Sequence, residues 1–175
     1  VAWRDSSYQY PLLAWVGTNG DHTINTIKGN QARTSWSSKI THWGSSSETG
    51  VSVAGGGGWH VIAWAGKDID FARRGRQIHY KTSTNGTSWN GPFTFQYLPQ
   101  GQPEQEYGAL SNVSVTYDAA SNRFLLAFVN WNTTPEDSWD LGTVRICSST
   151  TPGNPGAGFS HCNDTGQHSF GPVGI

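Results

Sequence analysis

Short apolar runs separated by polar turn residues fill the chain from end to end. The runs are rich in Val, Ile, Trp and Phe, and clusters of Gly, Asn, Ser and Pro lie between them. No segment keeps an apolar stripe at the i, i+3, i+4, i+7 spacing for three helical turns. The pattern therefore predicts an all-β protein that contains almost no helix.

One apolar hexapeptide recurs three times. The sequence LLAWVG at 12–17 returns as VIAWAG at 61–66 and as LLAFVN at 125–130. Each copy leads into a second strand-like run and then into a polar turn that ends in an aromatic residue, and two copies also follow a strand-like run. This order predicts a four-stranded antiparallel meander, the unit that forms one blade of a β-propeller.

The repeat spacing predicts one repeat domain of three blades over 1–175. Apolar residues at consecutive positions of the hexapeptide indicate a strand that is covered on both faces. We therefore predict that Trp15, Trp64 and Phe128 are core residues. The predicted units are blade 1 at about 1–44, blade 2 at about 45–100, blade 3 at about 105–165 and the start of a further blade at about 170–175.

Three blades are too few to close a propeller. Known propellers use roughly 4 to 8 blades, and an unclosed set leaves strand edges and faces uncovered. We therefore predict that the chain is part of a six-bladed assembly, completed either by a second polypeptide or by an identical copy.

The turn STNGTSW at 83–89 resembles the Asp box of sialidases and related proteins, with Asn85 where the family has Asp and with one residue fewer before Trp89. The stretch at 12–36 is also similar to the repeat of sialidase-like (Asp-box or BNR repeat) propeller domains in secreted proteins. The resemblance covers roughly residues 7–160 and depends on the triple recurrence. It implies that Ser83, Asn85, Gly86 and Trp89 have a structural role in the turn.

Composition narrows the classes of partner. Charged residues make up 13% of the chain, the formal net charge is -1, and Gly reaches 22. The one basic cluster, at 73–76, is short and follows Asp68 and Asp70, so we do not expect nucleic acid binding. No apolar run approaches the roughly 20 residues of a membrane span. A signal-peptide pattern is also missing from the start, so we expect a chain that is already processed or was cut from a longer one.

The two cysteines lie symmetrically about one predicted turn. If the last two strands of the third copy form a hairpin around 151–158, Cys147 and Cys162 face each other across it. A disulfide there predicts an oxidising compartment and therefore an extracellular protein. Two free buried thiols are the alternative.

Candidate ligand-binding residues come from the loops that follow the hexapeptide strands, at 17–21, 66–76 and 130–142. These loops should open on the same side of the propeller as the connections between blades. Aromatic faces beside charged groups suit sugars, which stack on rings and hydrogen-bond to carboxylates. The alternative is a solvated charged loop whose tryptophans pack within it. The candidates are Asp68, Asp70, Arg73, Arg76, Trp131, Asp137, Trp139 and Asp140.

Two functions follow from these features. The first is a secreted, non-catalytic propeller that binds carbohydrate, as a lectin does, or a protein partner; its ligand would be a glycan or glycoprotein. The second, implied by the resemblance, is a fragment of a sialidase-like exo-glycosidase, with Arg4 and Asp21 near places where that family has functional residues. However, RDSS at 4–7 replaces the family's Arg-Ile-Pro signature, so we expect no catalytic residues in this chain alone.

No cofactor is expected. The six His residues include no pair at the H-x-x-x-H spacing of a zinc site. A single calcium ion held by loop carbonyls is left open.

Overall fold

The computed structural model describes residues 10–70, 75–95, 108–130, 142–151 and 154–169. These ranges contain eleven strands and no helix, which confirms the all-β prediction. The strands are β1 (Leu12–Val16), β2 (Thr23–Lys28), β3 (Ile40–Ser46), β4 (Val51–Gly56), β5 (Trp59–Asp70), β6 (Gly75–Ser83), β7 (Asn90–Phe95), β8 (Ser114–Asp118), β9 (Arg123–Asn130), β10 (Gly142–Thr151) and β11 (Asn154–Ser169).

The strands form three antiparallel sheets, each with its strands side by side in chain order. Sheet 1 is β1-β2-β3, sheet 2 is β4-β5-β6-β7 and sheet 3 is β8-β9-β10-β11. Within the described ranges, none of the three closes on itself. The predicted four-stranded meander is therefore found in sheets 2 and 3. Residues 1–9 of predicted blade 1 and the predicted further unit at 170–175 lie outside the described residues.

The sheets stack with sheet 2 in the middle. One apolar cluster joins sheets 1 and 2 around Ile24, Ile62 and Trp64, and a larger one joins sheets 2 and 3. Trp64 is 1% exposed and Phe128 0%, as predicted for core positions. The same prediction is wrong for Trp15, which is 36% exposed. Its face of sheet 1 is at the end of the described stack, whereas the equivalent faces of the other two sheets are each covered by a neighbour.

Tight turns explain why the meanders fold back so sharply. Between β4 and β5 the chain reverses through Gly57 and Gly58, whose φ angles of 54° and 86° favour glycine because a Cβ would clash with the backbone. Gly57 and Gly58 therefore form the hairpin turn between the two strands.

The β6–β7 turn is organised by two polar side chains. The Ser83 hydroxyl donates to Asn85 Oδ1 at 3.1 Å and accepts the Gly86 amide at 2.8 Å. Asn85 Oδ1 also accepts the two amides that follow Gly86, at 2.9 and 2.8 Å. Trp89 then packs against the cluster between sheets 1 and 2. These contacts fix where β7 begins and are of the side-chain-to-backbone type that stabilises turns.

Cys147 and Cys162 form the predicted disulfide across the β10–β11 hairpin, with their Cα atoms 4.0 Å apart. The predicted turn at 151–158 is too long, because β11 already begins at Asn154. Bulges in the hairpin shift the register by enough that the two cysteines still face each other. The pairing followed from the symmetry of the spacing, although the turn itself is tighter.

The predicted loop at 66–76 is also shorter than expected. Strand β5 continues to Asp70 and β6 begins at Gly75, with Ile69 opposite Arg76. The repeat layout led to the loop prediction, but the strand continues past Lys67 and Asp68, whose charged side chains are exposed.

Candidate functional site

A bulge in the last strand of sheet 1 creates the most unusual surface of the molecule. Three residues of β3, namely Trp43, Gly44 and Ser45, lie opposite the single step from Thr23 to Ile24 in β2. Gly44 has a φ of 74°, which the bulge requires and which glycine adopts without strain. As a result Trp43 points away from the protein and is 80% exposed. We call these three residues the Trp43 bulge.

Three clefts lie next to the Trp43 bulge. Cleft 1 has a volume of about 390 Å³ and lies on the outer face of sheet 1. Cleft 2, of about 350 Å³, lies between sheets 1 and 2, and cleft 3, of about 280 Å³, connects the other two. Trp43 lines clefts 1 and 3, while Gly44 and Ser46 line clefts 2 and 3. The Trp43 bulge therefore contributes a wall to each of the three clefts.

Cleft 1 combines two tryptophans with amide and hydroxyl groups. Trp15 and Trp43 both line the cleft, and Asn25 lies between β1 and β3 in the same cross-strand row as Trp15. Asn25 Nδ2 donates to the Thr23 carbonyl at 2.9 Å, and its Oδ1 accepts the Thr41 hydroxyl at 3.0 Å. These bonds fix the orientation of the carboxamide at the bottom of the cleft.

Cleft 2 is lined by residues of sheet 2 and by the bulged strand of sheet 1. Lys67 and Asp68 at its rim are exposed. Trp64 and His79 lie deeper, with ring centroids 5.7 Å apart. Cleft 3 adds Asp21 and borders Lys67 as well. Charges of both signs therefore surround the Trp43 bulge.

Ser45 is the buried residue of the bulge. It is 2% exposed and lines cleft 3. Among the described residues its hydroxyl has no hydrogen-bond partner. A buried hydroxyl without a partner costs free energy, on the order of 1–3 kcal/mol, unless a ligand or water completes its bonding.

His42, directly before the bulge, anchors it from the opposite side. The ring lies between sheets 1 and 2, hydrogen-bonds through Nε2 to the Thr26 hydroxyl at 3.0 Å and meets the edge of Trp89. Burial, and to a smaller extent the positive charge of Lys81, lower the pKa of His42 to about 4. The ring is therefore neutral at neutral pH and forms part of the scaffold that holds the bulge.

The structure brings one of the eight predicted ligand-binding residues to these clefts. Asp68 lines cleft 2. Arg76 lies at the start of β6, where its Nη1 donates to the Gly66 carbonyl at 3.3 Å and its backbone pairs with Ala109 of the next segment. The backbone of Asp70 pairs with that of Gly75 at the end of β5. The other predicted ligand residues lie outside the described residues: Arg73, Trp131, Asp137, Trp139 and Asp140.

The residue missed by the sequence analysis is Trp43. An aromatic residue in a predicted strand is normally a core residue, and 42 and 43 alternate sides as strand residues do. The available signal was Gly44 directly after it, because glycine inside a strand indicates a bulge.

Two further observations concern metals and membranes. In the part of the chain that the structure describes, no three His, Cys, Asp or Glu side chains come together as a group that could hold a metal ion. Nor does that part contain a helix long and apolar enough to cross a membrane.

Comparison of the chain with protein-family models, with curated proteins and with solved structures finds no significant match. The functional argument therefore depends on the geometry of the three clefts.

Proposed function

We propose that the chain is a secreted, non-catalytic β-propeller segment that binds carbohydrate, free or on a glycoprotein, through the clefts around the Trp43 bulge. The observation that carries this proposal is the pair of exposed tryptophans, Trp43 and Trp15, on the walls of one polar cleft.

An exposed tryptophan does not contribute the free energy of folding that its burial would give, so a large exposed fraction favours a binding role. Burying a large apolar side chain contributes about 1.5–3 kcal/mol, and Trp43 at 80% exposure forgoes most of that contribution. Indole faces are good surfaces for the C–H groups of a sugar ring, because they combine a wide apolar area with few rotatable bonds. Two such faces on one cleft suit a ring that enters between them.

The polar groups of cleft 1 complement the tryptophans. Asn19 and Asn25 are held by bonds to Thr23, Asn19 through its Nδ2 and Oδ1 and Asn25 through its Nδ2. A carboxamide has two donor hydrogens and two acceptor lone pairs. The two amides therefore keep hydrogen-bonding capacity for sugar hydroxyls while their orientation is already fixed.

Binding is favoured over hydrolysis by the placement of carboxylates. Glycoside hydrolases typically flank the scissile bond with two carboxyl groups. The described lining of cleft 2 offers Asp68, and that of cleft 3 offers Asp21. Neither cleft brings two carboxylates together in its described lining.

The propeller architecture and the secreted location are supported by two features of the fold. The three sheets stack in chain order and carry related hexapeptides, in the first described strand of sheet 1 and in the second strand of sheets 2 and 3, and the latter two sheets are four-stranded meanders, as blades are. Stacked sheets are also what the sialidase-like resemblance implies. The Cys147–Cys162 disulfide favours an oxidising compartment.

A glycan array with the wild-type chain, followed by titration of the strongest glycan, tests this proposal. Trp43→Ala should weaken binding by about 1–3 kcal/mol, or roughly 5- to 150-fold, because it removes the stacking surface. The matched control is Trp36→Ala. Trp36 is 46% exposed in the β2–β3 turn and lines none of the three clefts, so its loss should leave the affinity unchanged.

Equal affinities of wild type and Trp43→Ala for that glycan would show that the Trp43 clefts are not the site. Turnover of a fluorogenic sialoside by the wild-type chain would instead support a glycosidase.

A further inference from the structure

Cleft 3 lies between the Trp43 bulge of sheet 1 and strand β5 of sheet 2. Its described lining includes the whole bulge from sheet 1 and Lys67 from sheet 2. The cleft shares Thr23 and the indole of the bulge with cleft 1, and it shares Gly44, Ser46 and Lys67 with cleft 2. A ligand that contacts the indole ring can therefore extend directly into cleft 3.

Two serine hydroxyls are buried in this part of the chain, and they differ in their hydrogen bonding. Ser47 is 0% exposed, and its hydroxyl oxygen accepts the amides of Thr49 and Gly50, both at 3.2 Å. Ser45 lines cleft 3, and its hydroxyl has no partner among the described residues. A hydroxyl has one hydrogen to donate and two lone pairs to accept with. Another hydroxyl group, placed in the cleft by a ligand, complements it in both roles.

The charged groups of cleft 3 have opposite signs. Lys67 and Asp21 both line the cleft and are both exposed. Neither forms an ion pair with a described residue, whereas His22 and Glu48 approach each other to 3.7 Å. An anionic ligand would be attracted by the ammonium and repelled by the carboxylate, and a cationic ligand would meet the reverse. An uncharged polyol can use both groups, because one hydroxyl accepts from the ammonium and another donates to the carboxylate.

Gly44 leaves open space where clefts 2 and 3 meet. It lines both clefts, and a Cβ atom built on it would have no other atom within 4 Å. Glycine inside a strand often marks a place where a ligand approaches the backbone closely. The bare backbone at Gly44 therefore gives a flat ring access to the groups on either side of it.

We propose that cleft 3 binds a second, uncharged sugar ring, so that the ligand of the Trp43 bulge is a chain of at least two rings. The first ring stacks on Trp43, as in the proposed function on which this inference rests. The second ring lies over Gly44 and hydrogen-bonds to the Ser45 hydroxyl. Its other hydroxyls accept from Lys67 Nζ and donate to the Asp21 carboxylate.

Calorimetric titration with the strongest glycan of the array, and with its component monosaccharides, tests the number of rings. Trp43→Ala should weaken the binding of both. Ser45→Ala and Lys67→Ala should each lower the affinity for the glycan by roughly 2- to 10-fold, the effect of one hydrogen bond, and leave the affinity for a monosaccharide unchanged. A monosaccharide that binds the wild-type chain as tightly as the glycan would overturn the inference.

Arg33→Ala is the control for Lys67→Ala, because it removes the same charge from an exposed residue that lines none of the three clefts. This variant should bind the glycan like the wild-type chain. If Ser45→Ala and Lys67→Ala also bind it like the wild-type chain, cleft 3 holds no sugar ring.

Urea unfolding without any glycan tests the state of the Ser45 hydroxyl separately. Ser45→Ala removes a hydroxyl that bonds to no described residue, so the urea midpoint should stay the same or rise. Ser47→Ala is the matched comparison, and its midpoint should fall because two backbone amides lose their acceptor. Equal losses in the two variants would show that the Ser45 hydroxyl serves the fold, and the inference would be wrong.

The failure of this inference can be distinguished from failure of the proposed function. If Trp43→Ala weakens glycan binding but Ser45→Ala and Lys67→Ala do not, carbohydrate binding stands and the second ring is refuted. If no glycan binds, or if Trp43→Ala leaves binding unchanged, the proposed function fails and the second ring fails with it.

Discussion

Truncating the fourth hexapeptide residue should cost much more stability in sheets 2 and 3 than in sheet 1, although the sequence context is nearly the same. A fully buried tryptophan removes about 150–250 Å² from water, which at about 25 cal/mol per Å² corresponds to roughly 4–6 kcal/mol as an upper limit. Trp64 is 1% exposed and Phe128 0%. We therefore expect Trp64→Ala and Phe128→Ala to lower the free energy of unfolding by about 3–5 kcal/mol each, including the cavity left behind.

Trp15→Ala should cost less in the single chain. Trp15 is 36% exposed, and its site opens to solvent, so its removal leaves no closed cavity. We expect a loss of about 2 kcal/mol or less. Urea unfolding followed by circular dichroism measures all three variants, in protein dilute enough to have the mass of one chain. A cost for Trp15→Ala equal to that for Trp64→Ala would refute the order of the stack, because it would require another layer on sheet 1.

Two further predictions concern pH and the disulfide. Because the pKa of His42 is about 4 in the folded chain and near 6.5 when unfolded, the unfolded state binds more protons between these values. Stability should therefore fall by up to about 3 kcal/mol as the pH drops from 6.5 to 4. In urea titrations across this range, His42→Asn should flatten the slope, and an unchanged slope in that variant would contradict the assignment. Reduction of Cys147–Cys162, which closes a separation of 15 residues, should cost about 3 kcal/mol. The urea midpoint of the Cys147→Ala, Cys162→Ala double variant should not change when reductant is added. If the midpoint of the wild-type chain is also unaffected by reductant, the value is wrong.

The strands were predictable because the sequence repeats them. The hexapeptide and the run after it recur with the same apolar pattern, so three copies support one interpretation where a single copy would be ambiguous. Burial was predictable only for the two copies whose aromatic face is covered by a neighbouring sheet. Trp15 has nearly the same local sequence as Trp64, and only the neighbouring sheet makes one exposed and the other buried.

The candidate site was largely not predictable. The Trp43 bulge results from the register between β2 and β3, where three residues of one strand face one step of the other. The register is a property of a pair of strands, so it is difficult to predict from the sequence of either strand alone. The candidate residues came from loops that contain charged and aromatic residues. One of the eight, Asp68, lines a cleft, and five of them lie outside the described residues.

A second bulge, at Thr165–Gln167 in β11, differs from the Trp43 bulge in the side chain that begins it. The Trp43 bulge begins with an exposed indole, whereas the second begins with Thr165. The Thr165 hydroxyl donates to the Val144 carbonyl of β10 at 3.0 Å and accepts the Gln167 amide at 3.2 Å, so its hydrogen bonds are made within the hairpin. The second bulge therefore offers no ring for a sugar to stack on. Sugar affinity should reside with the bulge that carries the indole, which is why Trp43→Ala alone is expected to remove most of the binding.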